Sequence, residues 1–395
     1  ARGGAVVGVA PRGGAGVKIC HVITGLNAGG AEIALCRLLE SLPAPAYRHA
    51  VVVLGGEGTL SARLAESARV HHMGIRPGRA GPGDVMRLRR LLAHESADLV
   101  HAWMYHAHLL TSLALWGQSV PHLWSVHHSL TDLATDKPLT RVVIRLNAVF
   151  STRPSCVLYA SQLSASQHED YGFSRLRTVV IPNGYDTGVL VPDPAARARI
   201  REELAVPGDG LVIGMVARVH PTKDHGNFLH AAKLFRESHP DSVFVLVGDG
   251  ATAANAELAS QVDALQLRTH VRLLGRRQDI PAINAAFDIA TLASRGEAFP
   301  NAVAEAMACG VPCVATDVGD VPLIVADTGV VVPARDSAAL CAGWASLAAL
   351  PPRERHQLGL RARQRIVDNY TARLRTRRYA DLYSSIVQER QACAE

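Results

Sequence analysis

Short apolar runs recur along the chain, each followed by a turn-forming stretch and then by a segment whose apolar positions return at helical spacing. In the first half the runs fall at Lys18 to Ile23, Ala50 to Leu54, Val70 to Met73, Leu99 to Trp103, His122 to Val126, Val157 to Ala160 and Val179 to Ile181. In the second half they end at Ala217, within VFVLVGDG, at the start of VRLLGRRQDIPAIN, at Ile289 to Ala293, at Cys313 to Thr316 and within TGVVVP. Runs that are apolar throughout, not alternating, fit strands buried on both faces of a parallel sheet. Their alternation with helices predicts α/β structure, a doubly wound sheet covered on both sides. The proline-bearing stretch VPDPAARARIREEL interrupts the series and predicts a connector with one short helix. The expected organisation is a disordered leader over 1–17, a first domain over 18–186, a linker over 187–210, a second domain over 211–370 and a helical tail over 371–395.

One unit carries more chemistry than the rest: SRGEAFPNAVAEAMACGVPCVATDVGD, from Ser294 to Asp320. The run before it predicts a strand. Pro300 and Asn301 open a helix, since a first helical turn does not need the amide that proline lacks. Gly310 and Pro312 stop it near Cys309. The result is a βαβ unit with Glu297 in the loop at the strand's C-terminal end, the edge where open α/β sheets take ligands. Asn301 and Glu305 are four apart and share a helix face. The free amides of Phe299, Pro300's successor Asn301 and Ala302 suit a phosphate. For an isolated pair of glutamates, a solvated helix start is the simpler reading.

The flanking residues change that reading. GEAFPNAVAEAMACGVPCVATDVG resembles the Glu–seven–Glu signature of retaining nucleotide-sugar glycosyltransferases of the family-four type, also called group 1. Three further segments fit in the family's order. After the first strand, GGAE with Gly29 and Gly30 resembles the family's opening loop, which lies across from the donor phosphates. Ser125-Val126-His127 resembles the family's Thr/Ser-x-His segment, whose His reaches the reacting sugar from the acceptor side; His128 alternates to the opposite side. GMVARVHPTKDH resembles the Arg-x4-Lys phosphate clamp, with Arg218 at a strand end and Lys223 at the next helix start. Arg277 falls where relatives pass the nucleotide base, largely through backbone contacts. The FPN of the motif, through Phe299, Pro300 and Asn301, and the YHAH and WSVHH segments look most like bacterial polysaccharide-assembly members.

The resemblance implies the GT-B fold: two Rossmann-like doubly wound domains facing a deep cleft, with a C-terminal helix crossing back to the first domain. It implies transfer of a sugar from a UDP- or GDP-sugar to a saccharide or lipid-linked acceptor, with retention at the anomeric carbon. A polyprenyl-diphosphate-linked saccharide at the cytoplasmic face of the membrane is the preferred acceptor. Arg218, Lys223 and the Phe299–Ala302 amides would stabilise the departing diphosphate. Glu305 would hold the ribose, Glu297 the sugar ring and its oxocarbenium-like centre, and His127 the sugar. The clamp stands where other glycosyltransferases use a metal, so no metal and no cofactor is expected. A catalytically silent scaffold of the same fold, or a GT-B epimerase or phosphorylase, is the alternative. The intact motif residues argue against the first, and no lysine suited to pyridoxal phosphate is identified for the last.

Composition adds limits. With 48% hydrophobic and 19% charged residues among 395, the chain is globular. No apolar run approaches the length of a bilayer span. Seven cysteines without paired spacing argue for a reducing compartment. The net charge of +6 is concentrated in the first half, where clusters such as Arg76/Arg79, Arg87/Arg89/Arg90 and Arg141/Arg145 would attract anionic lipid or an anionic acceptor. Solvated helix faces explain them equally well. Nucleic acid is not expected, because no recognition motif accompanies the charge. Around HAWMYHAHLL, Trp103, Tyr105 and His106 are expected to wall an acceptor, since flat rings with polar tips suit sugars and lipids.

Overall fold

The apolar runs form two parallel sheets. The structure, a computed structural model, describes residues 16–27, 29–130, 133 and 137–394, and divides into two units: residues 1–183 with 373–395, and residues 184–372. The leader expected over 1–17 lies almost wholly outside the described residues.

The first unit's strands are Val17–Ile23 (β1), Tyr47–Val53 (β2), Arg69–His72 (β3), Leu99–Trp103 (β4), His122–Val126 (β5), Val157–Tyr159 (β6) and Thr178–Val180 (β7). They are ordered β3-β2-β1-β4-β5-β6-β7. Its helices are Gly30–Ser41 (α1), Ser61–Ala65 (α2), Pro82–Glu95 (α3), Tyr105–Ala114 (α4), Pro138–Phe150 (α5) and Gln162–Asp170 (α6). Central β4 and β5 are buried at every position, whereas β3, at the edge, begins with exposed Arg69 and ends with exposed His72. A charged, short edge strand resists pairing with another chain.

The second unit's strands are Val212–Val216 (β8), Val243–Val247 (β9), Val271–Leu273 (β10), Ile289–Leu292 (β11), Cys313–Thr316 (β12) and Val330–Val332 (β13), ordered β10-β9-β8-β11-β12-β13. The helices are Pro194–Glu203 (α7), His225–Arg236 (α8), Ala256–Ala264 (α9), Ile280–Ala286 (α10), Asn301–Ala308 (α11), Val321–Val325 (α12), Ser337–Ala348 (α13) and Pro352–Asn369 (α14); the last helix, Ala372–Ala394 (α15), counts with the first unit from Arg373 on. The segment expected to be a connector carries α7 and counts with this unit. Arg197 and Arg201 bridge to Asp288 at 2.6 and 2.9 Å, and the Val212 amide donates to the same carboxylate at 2.8 Å. Burial opposes the charge on Asp288, yet Arg197, the Val212 amide and Arg201 hold its carboxyl below the usual range.

Each sheet carries a core on both faces. In the first unit one core includes Ile19, Val51, Leu99 and Trp103, and α15 closes it with Tyr379, Tyr383 and Ile386. The other holds Val22, Ala102, Trp124 and Ile144. In the second unit Arg363, on α14, caps the α11 carbonyl of Ala308 and donates to Thr187 O at 2.9 Å, favourable at a helix C-terminus.

Both sheets reverse direction between a first and a fourth strand, β1 and β4 in one unit, β8 and β11 in the other. The crevice beyond the carboxyl ends at such a switch point is where ligands bind in doubly wound folds.

Candidate functional site

In the second unit the switch point gathers two loops. Beyond β8, Ala217 continues the ladder by donating to Val247 O, and Arg218 emerges exposed at the end. Gly248 makes this possible. Its φ is +147°, and a Cβ there would stand 2.2 Å from Ala217 O and 2.8 Å from the Arg218 amide. The chain then turns through Pro221–Lys223, and Asp224, in the left-handed region at φ 51°, caps α8 by accepting from the Asn227 amide.

Beyond β11 comes Ser294, buried and held by Thr316 Oγ1, which donates to its carbonyl at 2.7 Å. Arg295 grips Asp224 with two bonds, 2.6 and 2.8 Å, and its amide donates to Thr222 O at 2.7 Å. The two loops are therefore locked together through groups that sequence reasoning missed. Neither Asp224 nor Arg295 has a role assigned from the sequence, and only their spatial meeting reveals the pair. Lys223 Nζ lies 2.5 Å from Glu297 Oε1, and Ser294 Oγ donates to the same oxygen at 2.6 Å. Gly319, in the DVGD loop at φ +59°, packs on Glu297: a Cβ there would meet its carbonyl oxygen at 2.7 Å.

Helix α11 begins beside this cluster, with Pro300 at its cap making no side-chain cap bond and the Asn301 amide donating to Phe299 O at 2.9 Å. Phe299 and Pro300 are buried, Ala302 half-buried and Asn301 exposed. Asn301 Oδ1 accepts from the hydroxyl of buried Tyr185 at 2.7 Å. Tyr185 comes from the NGYD segment, which offered only a turn signal in the sequence. Glu305 stands half-buried one turn further along the same face as Asn301. Arg277 is engaged elsewhere. Its guanidinium meets Asp279 at 2.8 Å and Glu203 at 2.5 Å, which together raise its pKa.

In the first unit Gly29 caps α1 and Gly30 opens it, with the Glu32 carboxylate folded back toward Gly29. Burial raises the pKa of Glu32. At the end of β5, half-buried His127 takes a hydrogen bond with Ser125 Oγ at 3.1 Å and stacks parallel to Trp103 with ring centroids 5.3 Å apart. Burial first, and Arg375 second, lower its pKa to about 3. Its imidazole is neutral at physiological pH.

The expected acceptor wall needs correcting. Trp103 is fully buried because β4 is a central strand; its indole N–H donates to His21 Nδ1 at 3.2 Å. His21 in turn donates from Nε2 to His49 Nδ1, and His49 Nε2 donates to Leu42 O at 2.8 Å. That carbonyl can only accept, so it fixes the tautomer of both rings. Tyr105 is also buried, its hydroxyl bonded to His168 at 2.7 Å. Trp103 stacks against His127 and Tyr105 opens α4; neither lies on the surface as a wall. His106 alone of the three reaches a cavity, described below. Among the described residues no group of His, Cys, Asp and Glu could hold a metal ion.

Comparison with known proteins gives the following. A family model described as Glycosyltransferase Family 4 matches residues 28–189, and one described as Glycosyl transferases group 1 matches residues 210–349. The chain is 31% identical to the UDP-Gal:alpha-D-GlcNAc-diphosphoundecaprenol alpha-1,3-galactosyltransferase of Escherichia coli, over 59% of this chain and 61% of that protein. It is 32% identical to a GDP-mannose-dependent alpha-(1-6)-phosphatidylinositol monomannoside mannosyltransferase of Mycolicibacterium smegmatis, over 54% and 57%. The chain thus spans about three fifths of the length of these curated relatives. Among solved structures, Anabaena Alr3699/HepE in complex with UDP matches with a TM-score of 0.81 at 23% identity, covering 93% of this chain and 100% of that one. At that identity the likeness shows the fold.

Proposed function

Because the chain belongs to the family-four, group 1 glycosyltransferases, we propose that it moves a sugar from a UDP- or GDP-sugar to a saccharide or lipid-linked acceptor, with a polyprenyl-diphosphate-linked saccharide preferred. The observation that carries the reading is the cluster of Arg218, Lys223, Glu297 and the α11 start at the switch point of the second unit. Two cations and a helix N-terminus concentrate positive potential where a diphosphate would sit. In transfer, the bond between the anomeric carbon and the terminal phosphate oxygen breaks, and that oxygen keeps the electron pair. Arg218, Lys223 and the α11 amides stabilise the growing charge, preorganised electrostatics of the kind that often dominates a barrier. Glu297 bonds the sugar ring hydroxyls, and Glu305 those of the ribose. His127 supplies a neutral hydrogen-bonding ring to a sugar hydroxyl. The acceptor hydroxyl oxygen forms the new bond, and its proton passes to the departing phosphate on the same face, which leaves the anomeric configuration unchanged.

The basic first unit supports peripheral contact with the cytoplasmic face of a membrane, and no helix among the described residues is long and apolar enough to cross one. The test is to incubate the protein with UDP- and GDP-sugars and a short-chain prenyl-diphosphate-linked saccharide, and to identify product by mass and anomeric configuration. A saccharide longer by one α-linked sugar, lost in Glu297→Gln, is the expected result. Absence of product and of free nucleoside diphosphate across the panel would overturn the reading.

A further inference from the structure

In the first unit a cavity of about 1310 Å³ runs between α3, α4 and α5 and reaches the ends of β1 and β2 at Thr24 to Asn27 and Leu54 to Glu57. Its body is apolar, walled by Met86, Leu113, Trp116, Leu139, Val142 and Leu146. Five of these six are exposed, which is unusual for side chains of this size grouped together. Helix α5 explains the grouping. Val143, Ile144 and Asn147 face the core, while Leu139, Val142, Leu146 and Val149 return at spacings of three and four on another face, with Val149 74% exposed. A helix apolar on two faces is built for two apolar environments, and the described residues supply only one of them.

The rim is cationic. Arg141 and Arg145 lie exposed on α5, and Arg76 and Lys137 line the cavity; among the described residues none of the four is paired with a carboxylate. Among the described residues, Glu57 is the one carboxylate in the lining. Arg153 stacks its guanidinium 3.4 Å from the Trp116 ring centroid, holding a further charge at the apolar edge. An apolar trough with a positive rim, open at one end to strand ends, complements one kind of molecule: a long hydrocarbon chain with an anionic head.

We propose that this groove draws a lipid with a phosphate or diphosphate head from a bilayer, its hydrocarbon chain lying between α3, α4 and α5 and its head beside Arg76 and Lys137, while the outer stripe of α5 rests on the membrane. That this lipid is the transfer acceptor rests on the reading given above. His106, half-buried on α4, borders the groove on the side of the strand ends.

Trp116 provides the probe. It is 51% exposed, whereas Trp103, Trp124 and Trp344 are fully buried. The full chain is mixed with vesicles of phosphatidylcholine, with or without phosphatidylglycerol, whose acyl chains are brominated. The expected result is quenching of Trp116 emission by the anionic vesicles. Val142→Glu and Leu146→Glu should each weaken vesicle flotation about 10-fold or more, with an unchanged circular dichroism spectrum. Trp116→Phe should lose the quenching and still float. Wild-type protein that stays free of anionic vesicles, or glutamate variants that float as it does, would overturn the proposal. So would a concentration-dependent dimer abolished by Leu146→Glu, which would make the stripe a surface for a second copy. Nucleoside diphosphate binding is followed in the same samples. Its failure with vesicle capture intact would count against the transferase reading and leave the groove standing.

Discussion

Lys223 and Glu297 form a salt bridge, Nζ 2.5 Å from Oε1, joining the loop beyond β8 to the loop beyond β11. Ser294 Oγ donates to the same carboxylate oxygen, so Glu297 is held by two groups. A diphosphate attracted to Lys223 competes with Glu297 for one ammonium. The two residues should therefore separate binding from chemistry. Lys223→Ala should weaken nucleoside diphosphate binding about 10-fold, or ~1.4 kcal/mol. Glu297→Gln should bind it at least as tightly as the wild type while transfer falls ~100-fold or more. Calorimetric titration beside turnover measurements would show this. Equal loss of binding in both variants would contradict it.

Gly248 sets the position of Arg218. Alanine there brings a Cβ against Ala217 O and the Arg218 amide, in a backbone region that L side chains rarely adopt. Gly248→Ala should cost about 1–3 kcal/mol in a denaturant midpoint analysis and should also weaken nucleoside diphosphate binding. A stable variant with unchanged binding would show that the close approach relaxes freely.

The low pKa of His127 has a kinetic consequence. Lowered by burial and by Arg375 to about 3, the ring carries no charge anywhere in the usual assay range. Its NMR titration should be flat between about pH 5 and 8, and the transfer rate should show no limb near the ordinary histidine pKa of about 6.5 that His127→Gln removes. A midpoint near 6.5 at His127 would refute the neutral role.

Glu95 predicts an acid limb in stability. It is 1% exposed and pairs with Lys18 at 2.9 Å and His71 at 2.7 Å. Although burial alone would raise its pKa, bonds from Lys18 and His71 lower it to about 2 from the ordinary 4.5. A depressed folded pKa means stability that is present above 4.5 and is lost as pH falls through about 2. Glu95→Gln should remove that part of the dependence. Melting curves of both proteins across this window should converge as pH falls. A constant gap would place the stabilisation elsewhere.

The strands were legible because parallel strands buried on both faces leave unbroken apolar runs. β4 and β5 fall where those runs do, at Leu99–Trp103 and His122–Val126. α11 was legible because proline and glycine bracket it. What stayed hidden depends on partners far away in the sequence. Arg277 was read as a donor-site residue beside the nucleotide base, and no local signal shows that Glu203, 74 residues earlier, takes part of its guanidinium. Trp103 and Tyr105 looked like an acceptor wall, yet local sequence does not say that their rings turn inward. Tyr185 finds Asn301 across 116 residues, and no spacing rule links them. In α5, apolar periodicity shows two faces but not that one of them is exposed among the described residues.

The most direct test of the central claim is thermal denaturation with UDP, GDP and ADP, using Arg218→Ala, Lys223→Ala and Glu305→Ala as controls, with and without a divalent cation. A nucleoside diphosphate at 100 times its Kd should stabilise the wild type by about 2.7 kcal/mol. The account predicts a rise in Tm with UDP or GDP that is lost or sharply reduced in all three variants. A folded wild-type protein whose Tm moves with none of the three nucleotides would contradict the assignment of a donor site to the β8–β11 switch point.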